Sequence, residues 1–283
     1  MAEQGNARAA LDVELSAWAE AGRTATLWWR DDDAVAGSAA LSQLLELAGR
    51  FSVPLALGVV PQLADASLLQ LIGRAANVTP VVHGYAHINH APPLEKQAEF
   101  GAHRRSAIMC AELGEGLLIL REMFGAKLCP VLVPPWNRLD DALGAHLPRL
   151  GYKGVSAFRP SPHRMPAPGL VQTNCHIDSI DWRALRGQRP AGAVLDELTT
   201  LLRIRRLYPN VSAGALALGK PLPPGFDPEE PTGILTHHLV QGAEAWEFLS
   251  QLLRAIAPHG RPGGGARWLS CEEAFRLDVA IPV

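Results

Sequence analysis

The chain has 283 residues, 48% of them hydrophobic, which is long enough for one α/β barrel with a sizeable buried core. A net charge of -2 leaves no basic field for nucleic acid or an anionic membrane surface. Cys110, Cys129, Cys175 and Cys271 are scattered without a C-x-x-C pair, which sets aside a zinc knuckle and a disulfide framework and points to free thiols in a reducing compartment.

Arg8 to Ala21 carries Leu11, Val13, Leu15 and Trp18 at helical spacing and predicts an opening helix over 8–21. Its acidic residues and lack of an apolar core do not suit a signal peptide. No stretch offers 18 uninterrupted apolar residues, so no membrane span and a cytoplasmic location are expected. Ala25 to Trp29 reads as a strand that stops at Arg30-Asp31-Asp32-Asp33. A helix over Leu41–Phe51 and a buried strand over Pro54–Val60 follow. Asp65 or Ser67 caps a helix running to about Ala76. Val78 to Val82 is a strand ending at His83. Glu95 to Phe124 reads as the longest helix, with a break near Gly114 or Gly116. Further on come a strand at Cys129–Val133, a helix at Leu139–Leu150, and strands at Gly154–Phe158 and Leu170–Ile177. A helix at Gly192–Leu207, a Pro/Gly-rich loop over Gly219–Pro231 and a strand at Gly233–Thr236 come next. A helix at Glu244–Ala257, a strand at Trp268 and a helix at Glu272–Leu277 complete the chain. Strand and helix thus alternate about seven times, which implies a parallel sheet flanked by helices. No linker or repeat divides residues 1–283, so one domain is the economical reading. Polar clusters recur at the C-terminal ends of several strands, where α/β barrels keep their active sites. The fold class expected is therefore α/β, a deformed (β/α) barrel with about seven parallel strands.

Five clusters carry the chemistry. Three adjacent carboxylates, Asp31 to Asp33, repel one another and need a cation to stay ionised together at a strand end. A solvated turn is the plainer account of them. His83 and His87 stand four apart, a spacing that can put both imidazoles on one zinc-like ion, with His90 at the surface or behind them. Val133-Pro134-Pro135-Trp136 stops a strand rigidly, with Trp136 either a pocket wall or a buried anchor. Asp178 and Asp181, with Trp182 beside them, could orient a histidine or cap a helix. Leu235-Thr236-His237-His238 offers an imidazole suited to proton donation near neutral pH.

Taken together and in this order, the clusters resemble the five motifs of the polysaccharide deacetylases, the NodB-homology proteins of carbohydrate esterase family four. The resemblance spans residues 29 to 237. It implies a deformed (β/α) barrel, with Asp31 as general base and Asp32, His83 and His87 as metal ligands. His237 would be the general acid, tuned by Asp181, and Trp136, Trp182, Pro135 and Asp178 would line the substrate pocket. The triple Asp leaves the register open by one residue, so that Asp32 and Asp33 could take the roles of base and ligand instead. Two positions depart from the family pattern. Val133 stands where an Arg normally tethers the base, with Arg30 or Arg138 available to compensate, and Gly84 stands where Ser or Thr usually follows the first ligand.

The implied activity is metal-dependent removal of an acyl group, acetyl first, from an amide or ester of a sugar or small conjugate, acting on carbon–nitrogen (non-peptide) bonds. The implied cofactor is one divalent metal, zinc first, with cobalt, iron or nickel also compatible. The expected partner is an acetylated sugar or small amide, with no nucleic acid and no membrane. Two other classes stay open: a carbohydrate-binding protein without turnover on the same fold, and a metal-dependent oxygenase using the same triad.

Overall fold

The computed structural model of the chain describes residues 2–182, 187–208 and 226–277. Its strands are β1 (Ala25–Ala34), β2 (Leu55–Val59), β3 (Val78–His83), β4 (Val131–Val133), β5 (Gly154–Val155), β6 (Val171–Gln172), β7 (Cys175–Asp178), β8 (Ile180–Asp181), β9 (Gly187–Gln188), β10 (Thr232–Thr236) and β11 (Ala266–Trp268). Its helices are α1 (Ala2–Glu20), α2 (Ala39–Phe51), α3 (Ala66–Arg74), α4 (Ser106–Phe124), α5 (Leu147–Leu150), α6 (Ala191–Leu207), α7 (Ala243–Ile256) and α8 (Cys271–Ala274). Nine strands form one sheet in the order β6-β5-β4-β3-β2-β1-β10-β7, with β11 beside the start of β1. Every pairing in it is parallel, so each crossover must travel over a face, and helices cover the outer one. The sheet curls into a half-barrel, and an isolated bridge between Phe158, just after β5, and Cys175 of β7 links its two ends. β8 and β9 form a separate antiparallel hairpin that sequence patterning did not anticipate.

Because strand side chains alternate faces, the core divides in two. Leu27, Trp29, Leu55, Leu57, Val59, Val82 and Ile234 face the helices and join the larger cluster. Trp28, Ala56, Val81, Val131, Val133 and Leu235 face the barrel interior, which Phe275 plugs edge-on to Trp28 at 5.5 Å. α2 begins where the Ser38 hydroxyl accepts from Leu41 N and buries Leu41, Leu44, Leu47 and Ala48. Asp65, one of the two anticipated caps, accepts from Ser67 N at the start of α3.

Several boundaries differ from the sequence-based reading. β1 does not stop at Arg30 but runs to Ala34. The helix expected from Glu95 begins only at Ser106, and it passes Gly114 and Gly116 without a break. Residues 95–105 instead form an irregular loop that buries Glu99 and Phe100. The helix expected over 139–150 is reduced to one 3-10 turn, Asp141–Leu143, and the short α5. Pro148 sits in the first turn of α5, where its missing N–H costs nothing, and it cannot continue a helix from upstream. The strand expected over 170–177 splits into β6 and β7, because the backbone N–H of Asn174 turns to the Glu230 carboxylate. Residues 219–225 of the expected surface loop lie outside the described residues. All four cysteines are free. Among the described residues no helix is long and apolar enough to cross a membrane.

Candidate metal and acid-base site

The C-terminal ends of β1, β3, β4, β7 and β10 bring the five clusters to one rim of the half-barrel. Strand parity decides which of the three aspartates enters it. Trp28, Arg30 and Asp32 point inward, whereas Leu27, Trp29 and Asp31 point toward the helices. Asp33 has φ +74°, which ends the alternation and turns its carboxylate inward as well.

The structure therefore places Asp33, rather than Asp32, beside the histidine pair. Asp33 Oδ1 lies 3.0 Å from His83 Nε2 and 3.2 Å from His87 Nε2. The three ligand atoms all fall within 4.8 Å of one another. His83 Nδ1 donates to the Val133 carbonyl at 3.0 Å, which leaves Nε2 as the atom facing the cluster. Burial presses the Asp33 carboxyl up, but hydrogen bonds from His83 and His87 hold it well below the usual carboxylate range. His83 is disfavoured as a cation by burial, yet the charge of Asp32 and its bond to Asp33 raise it above its ordinary value. Two imidazole nitrogens and one carboxylate oxygen on a common point suit a divalent cation of the zinc type and leave open coordination positions.

Asp32 is buried one step away. Its Oδ2 accepts from Arg30 Nη2 at 2.9 Å, with side-chain exposures of 3% and 0%. Arg30 also donates to Asn137 Oδ1 at 2.7 Å, Ser156 Oγ at 2.6 Å and the Ala157 carbonyl at 3.3 Å. Burial works against the Arg30 cation, but Asp32 more than offsets it and raises its pKa. Arg30, on the same strand, thus holds the Asp32 carboxylate, a tether that Val133 cannot supply. Arg138 takes no part, since its guanidinium donates to the Gln97 carbonyl. The other carboxylate oxygen, Asp32 Oδ1, is buried and has no hydrogen-bond partner among the described residues. Gly58 faces it, and a Cβ there would stand 2.9 Å from that oxygen.

His237 enters from the opposite side, its Nε2 4.0 Å from Asp32 Oδ2 and its Nδ1 buried without a partner among the described residues. Trp182 packs edge-on against it at 4.7 Å and is held by its indole N–H to Asp178 Oδ2 at 2.8 Å. Burial raises the Asp178 carboxyl, and the nearby His237 opposes that rise. Asp181 is half-buried in the β8–β9 hairpin just beyond. Trp136 leans on His87 at 4.5 Å, and Pro135 is buried beneath it. Trp136 and Asn137 after β4, and His87 after β3, all have positive φ, so both loops bend sharply where they meet the site. His90 is exposed.

Asp31 does not reach this cluster. It is wholly buried on the helix side and bonded to Thr236 and His238. Sequence reading also passed over Glu99. Its buried carboxylate accepts from Tyr85 N at 3.1 Å and Ala86 N at 2.7 Å, inside the turn that joins His83 to His87. Gly84 has φ +65°, and a Cβ there would lie 2.2 Å from Glu99 Oε2. A side chain at position 84 would collide with the carboxylate that fills that space.

No protein-family model matches the sequence, and no curated protein sequence is similar to it. Solved structures do match. A protein from Mycobacterium smegmatis assigned as a polysaccharide deacetylase superposes with a TM-score of 0.57 at 13% identity, over 84% of this chain and 76% of that one. The family 4 carbohydrate esterase from Streptomyces lividans gives 0.50 at 15% identity, over 87% and 97%. The peptidoglycan deacetylase PdaC from Bacillus subtilis gives 0.51 at 10% identity, over 90% and 92%. The chain has the α/β half-barrel fold of the polysaccharide deacetylases and family 4 carbohydrate esterases.

Proposed function

We propose that the protein is a metal-dependent deacylase that removes an acyl group, acetyl first, from an amide or ester of a sugar or small conjugate. The observation that carries this reading is the convergence of Asp33, His83 and His87 next to a carboxylate, Asp32, with one free oxygen and an imidazole, His237, across from it. The solved structures of similar fold include polysaccharide and peptidoglycan deacetylases and a carbohydrate esterase, which supports the same class of chemistry here.

Asp33, His83 and His87 would hold the cation, with zinc the first choice by donor set. Such an ion, when bound, supplies a Lewis acid for the acyl oxygen and lowers the pKa of water nearby. Asp32 is the general base: Arg30 fixes its Oδ2, and its Oδ1 is the acceptor left to take the proton of the attacking water. His237 is the general acid, with Nε2 turned to the cleft to protonate the leaving nitrogen or oxygen. Asp178, with Asp181 in the hairpin beyond it, is proposed to tune His237. Trp136 and Trp182 wall the two sides of the cleft, Trp182 being 46% exposed although its indole N–H is tethered.

Elemental analysis of the purified protein tests the site directly. Wild type and Asp32→Asn are expected to carry one divalent ion per chain, whereas His83→Ala and Asp33→Ala lose it. Asp32→Asn should lower acetyl release by about 10²–10⁴-fold, the usual share of a general base. Equal metal content in wild type and His83→Ala, or none in either after exposure to zinc, would overturn the proposal.

A further inference from the structure

Asp31 and His238 belong to the marked clusters, yet the proposed chemistry uses neither. They meet on the helix-facing side of the sheet, both fully buried. Asp31 Oδ2 accepts from Thr236 Oγ1 at 2.6 Å and from the backbone N–H of His238 at 3.0 Å. Asp31 Oδ1 accepts from His238 Nδ1 at 2.5 Å. Thr236 Oγ1 accepts in turn from Trp29 Nε1 at 2.9 Å. The remaining ring nitrogen of His238, Nε2, is buried without a partner among the described residues, so its side chain acts through Nδ1 alone.

The position of this pair gives it meaning. The β1–β10 ladder ends with Asp31 opposite Thr236. Past that step no strand pairing joins β1 to the segment that follows β10. The next residue on one side is Asp32, and on the other His237. By strand alternation their side chains emerge on the opposite, interior face. A charge-assisted pair buried away from water is short and directional, which suits it to fix geometry.

We propose that Asp31 and His238 form a positioning clamp that extends the ladder one step and sets the 4.0 Å separation of Asp32 Oδ2 and His237 Nε2. This rests on the reading of Asp32 and His237 as base and acid. Neither clamp residue touches the reacting atoms.

The test compares zinc-loaded wild type with His238→Ala, His238→Asn, Asp31→Asn and His237→Ala, using 4-nitroacetanilide hydrolysis, in which the leaving nitrogen needs a proton, together with zinc content and crystal structures. The asparagine amide can reproduce the Nδ1 donor, and alanine cannot. The expected result is a kcat about 100-fold lower in His238→Ala, the scale of an ångström-sized misplacement, with KM and zinc content unchanged and most of the rate regained in His238→Asn. In the crystals, the Asp32–His237 separation should change in His238→Ala and return in His238→Asn. Asp31→Asn gives a second route to the same loss if the alanine variant does not fold. The clamp is overturned if His238→Asn is no better than alanine, if KM rises while kcat holds, or if the separation stays fixed in His238→Ala. Equal anilide hydrolysis by wild type and His237→Ala would instead overturn the base–acid reading, and the crystallographic separation would still decide the clamp.

Discussion

Three adjacent aspartates survive at one strand end because each meets a different positive or donating partner. Asp31 faces His238, Asp32 faces Arg30, and Asp33 faces His83 and His87. The Arg30–Asp32 pair is the most exposed to mutation, since both charges are buried and each is the other's compensation. Replacing Arg30 with methionine should destabilise the fold by about 3–5 kcal/mol in chemical denaturation, because it strands Asp32 as an unpaired buried charge. Double replacement, Arg30→Met with Asp32→Leu, should recover much of that stability while abolishing acetyl release. Asp33, not Asp32, lies beside the histidine pair, and the proposed function accordingly gives Asp32 and Asp33 the roles of base and ligand, the alternative register that the triple Asp left open. Parity could not be read from the sequence, since a strand buried on both faces shows no alternation of apolar and polar residues, and Trp28 and Trp29 look alike. The positive φ of Asp33, which brings a third residue to the interior, leaves no mark in the composition either. Strand-end position put His83, His87, Asp178, Trp182 and His237 on one rim, where the structure also has them, but only the resemblance of all five clusters to one motif set made them a candidate site.

At the level of elements, the loop between β3 and α4 departs furthest from expectation. Its residues have helix-compatible composition, but tertiary demands win: Glu99 is drawn into the His83–His87 turn, and Arg104 reaches Glu112 through two bonds and the Glu99 carbonyl through a third. Replacing Glu99 with alanine strips two backbone N–H groups of their acceptor and should weaken zinc binding by about 10–100-fold in a competition titration, as is usual for residues behind a metal ligand. Gly84→Ser should fail alone, through strain at φ +65° and the clash with Glu99. A gentler check concerns α2: Ser38→Ala removes the cap to Leu41 N and should cost about 1 kcal/mol without touching activity. Long elements with strong periodicity, such as α2, α7 and β2, were read within a few residues. The two-residue strands and the β8–β9 hairpin were not, because their existence depends on partners distant in sequence.

Across the whole molecule, the rim that carries the site is balanced by a buried polar network that ties β7 to β10 through Glu230. Glu230 bonds to the amides of Asn174 and Ser161 and to His176, and Arg205 lies alongside. Gly233 N donates to His176 Nδ1, which puts the single proton of the neutral imidazole on Nε2, toward Glu230. Burial therefore lowers the pKa of His176. Burial alone would raise Glu230, but His176, Arg205 and the Asn174 amide bring it below its ordinary value. Both folded-state values lie under the unfolded ones, so both contributions are complete at neutral pH and are lost on acidification. Stability should begin to fall below about pH 6.5, as the unfolded chain takes up the His176 proton, and fall more steeply below about pH 4.5 with Glu230. Denaturant midpoints measured across pH 4–7 check this, and Glu230→Gln should flatten the lower part of the curve.

The tether of the proposed base has a mechanical consequence. Arg30 and Asp32 lie two residues apart on one strand, so the carboxylate and its counterion travel as a rigid body. With Val133 in place of an arginine on β4, the charge pair spans no strand boundary, so a displacement of β4 would not part it. A shift of β4 would instead strain the bonds from Arg30 to Asn137 and Ser156 and the bond from His83 Nδ1 to the Val133 carbonyl. The charge on Asp32 is thus set within β1, and substitutions at Trp136 on the neighbouring loop are expected to change KM for substrates of different bulk more than kcat.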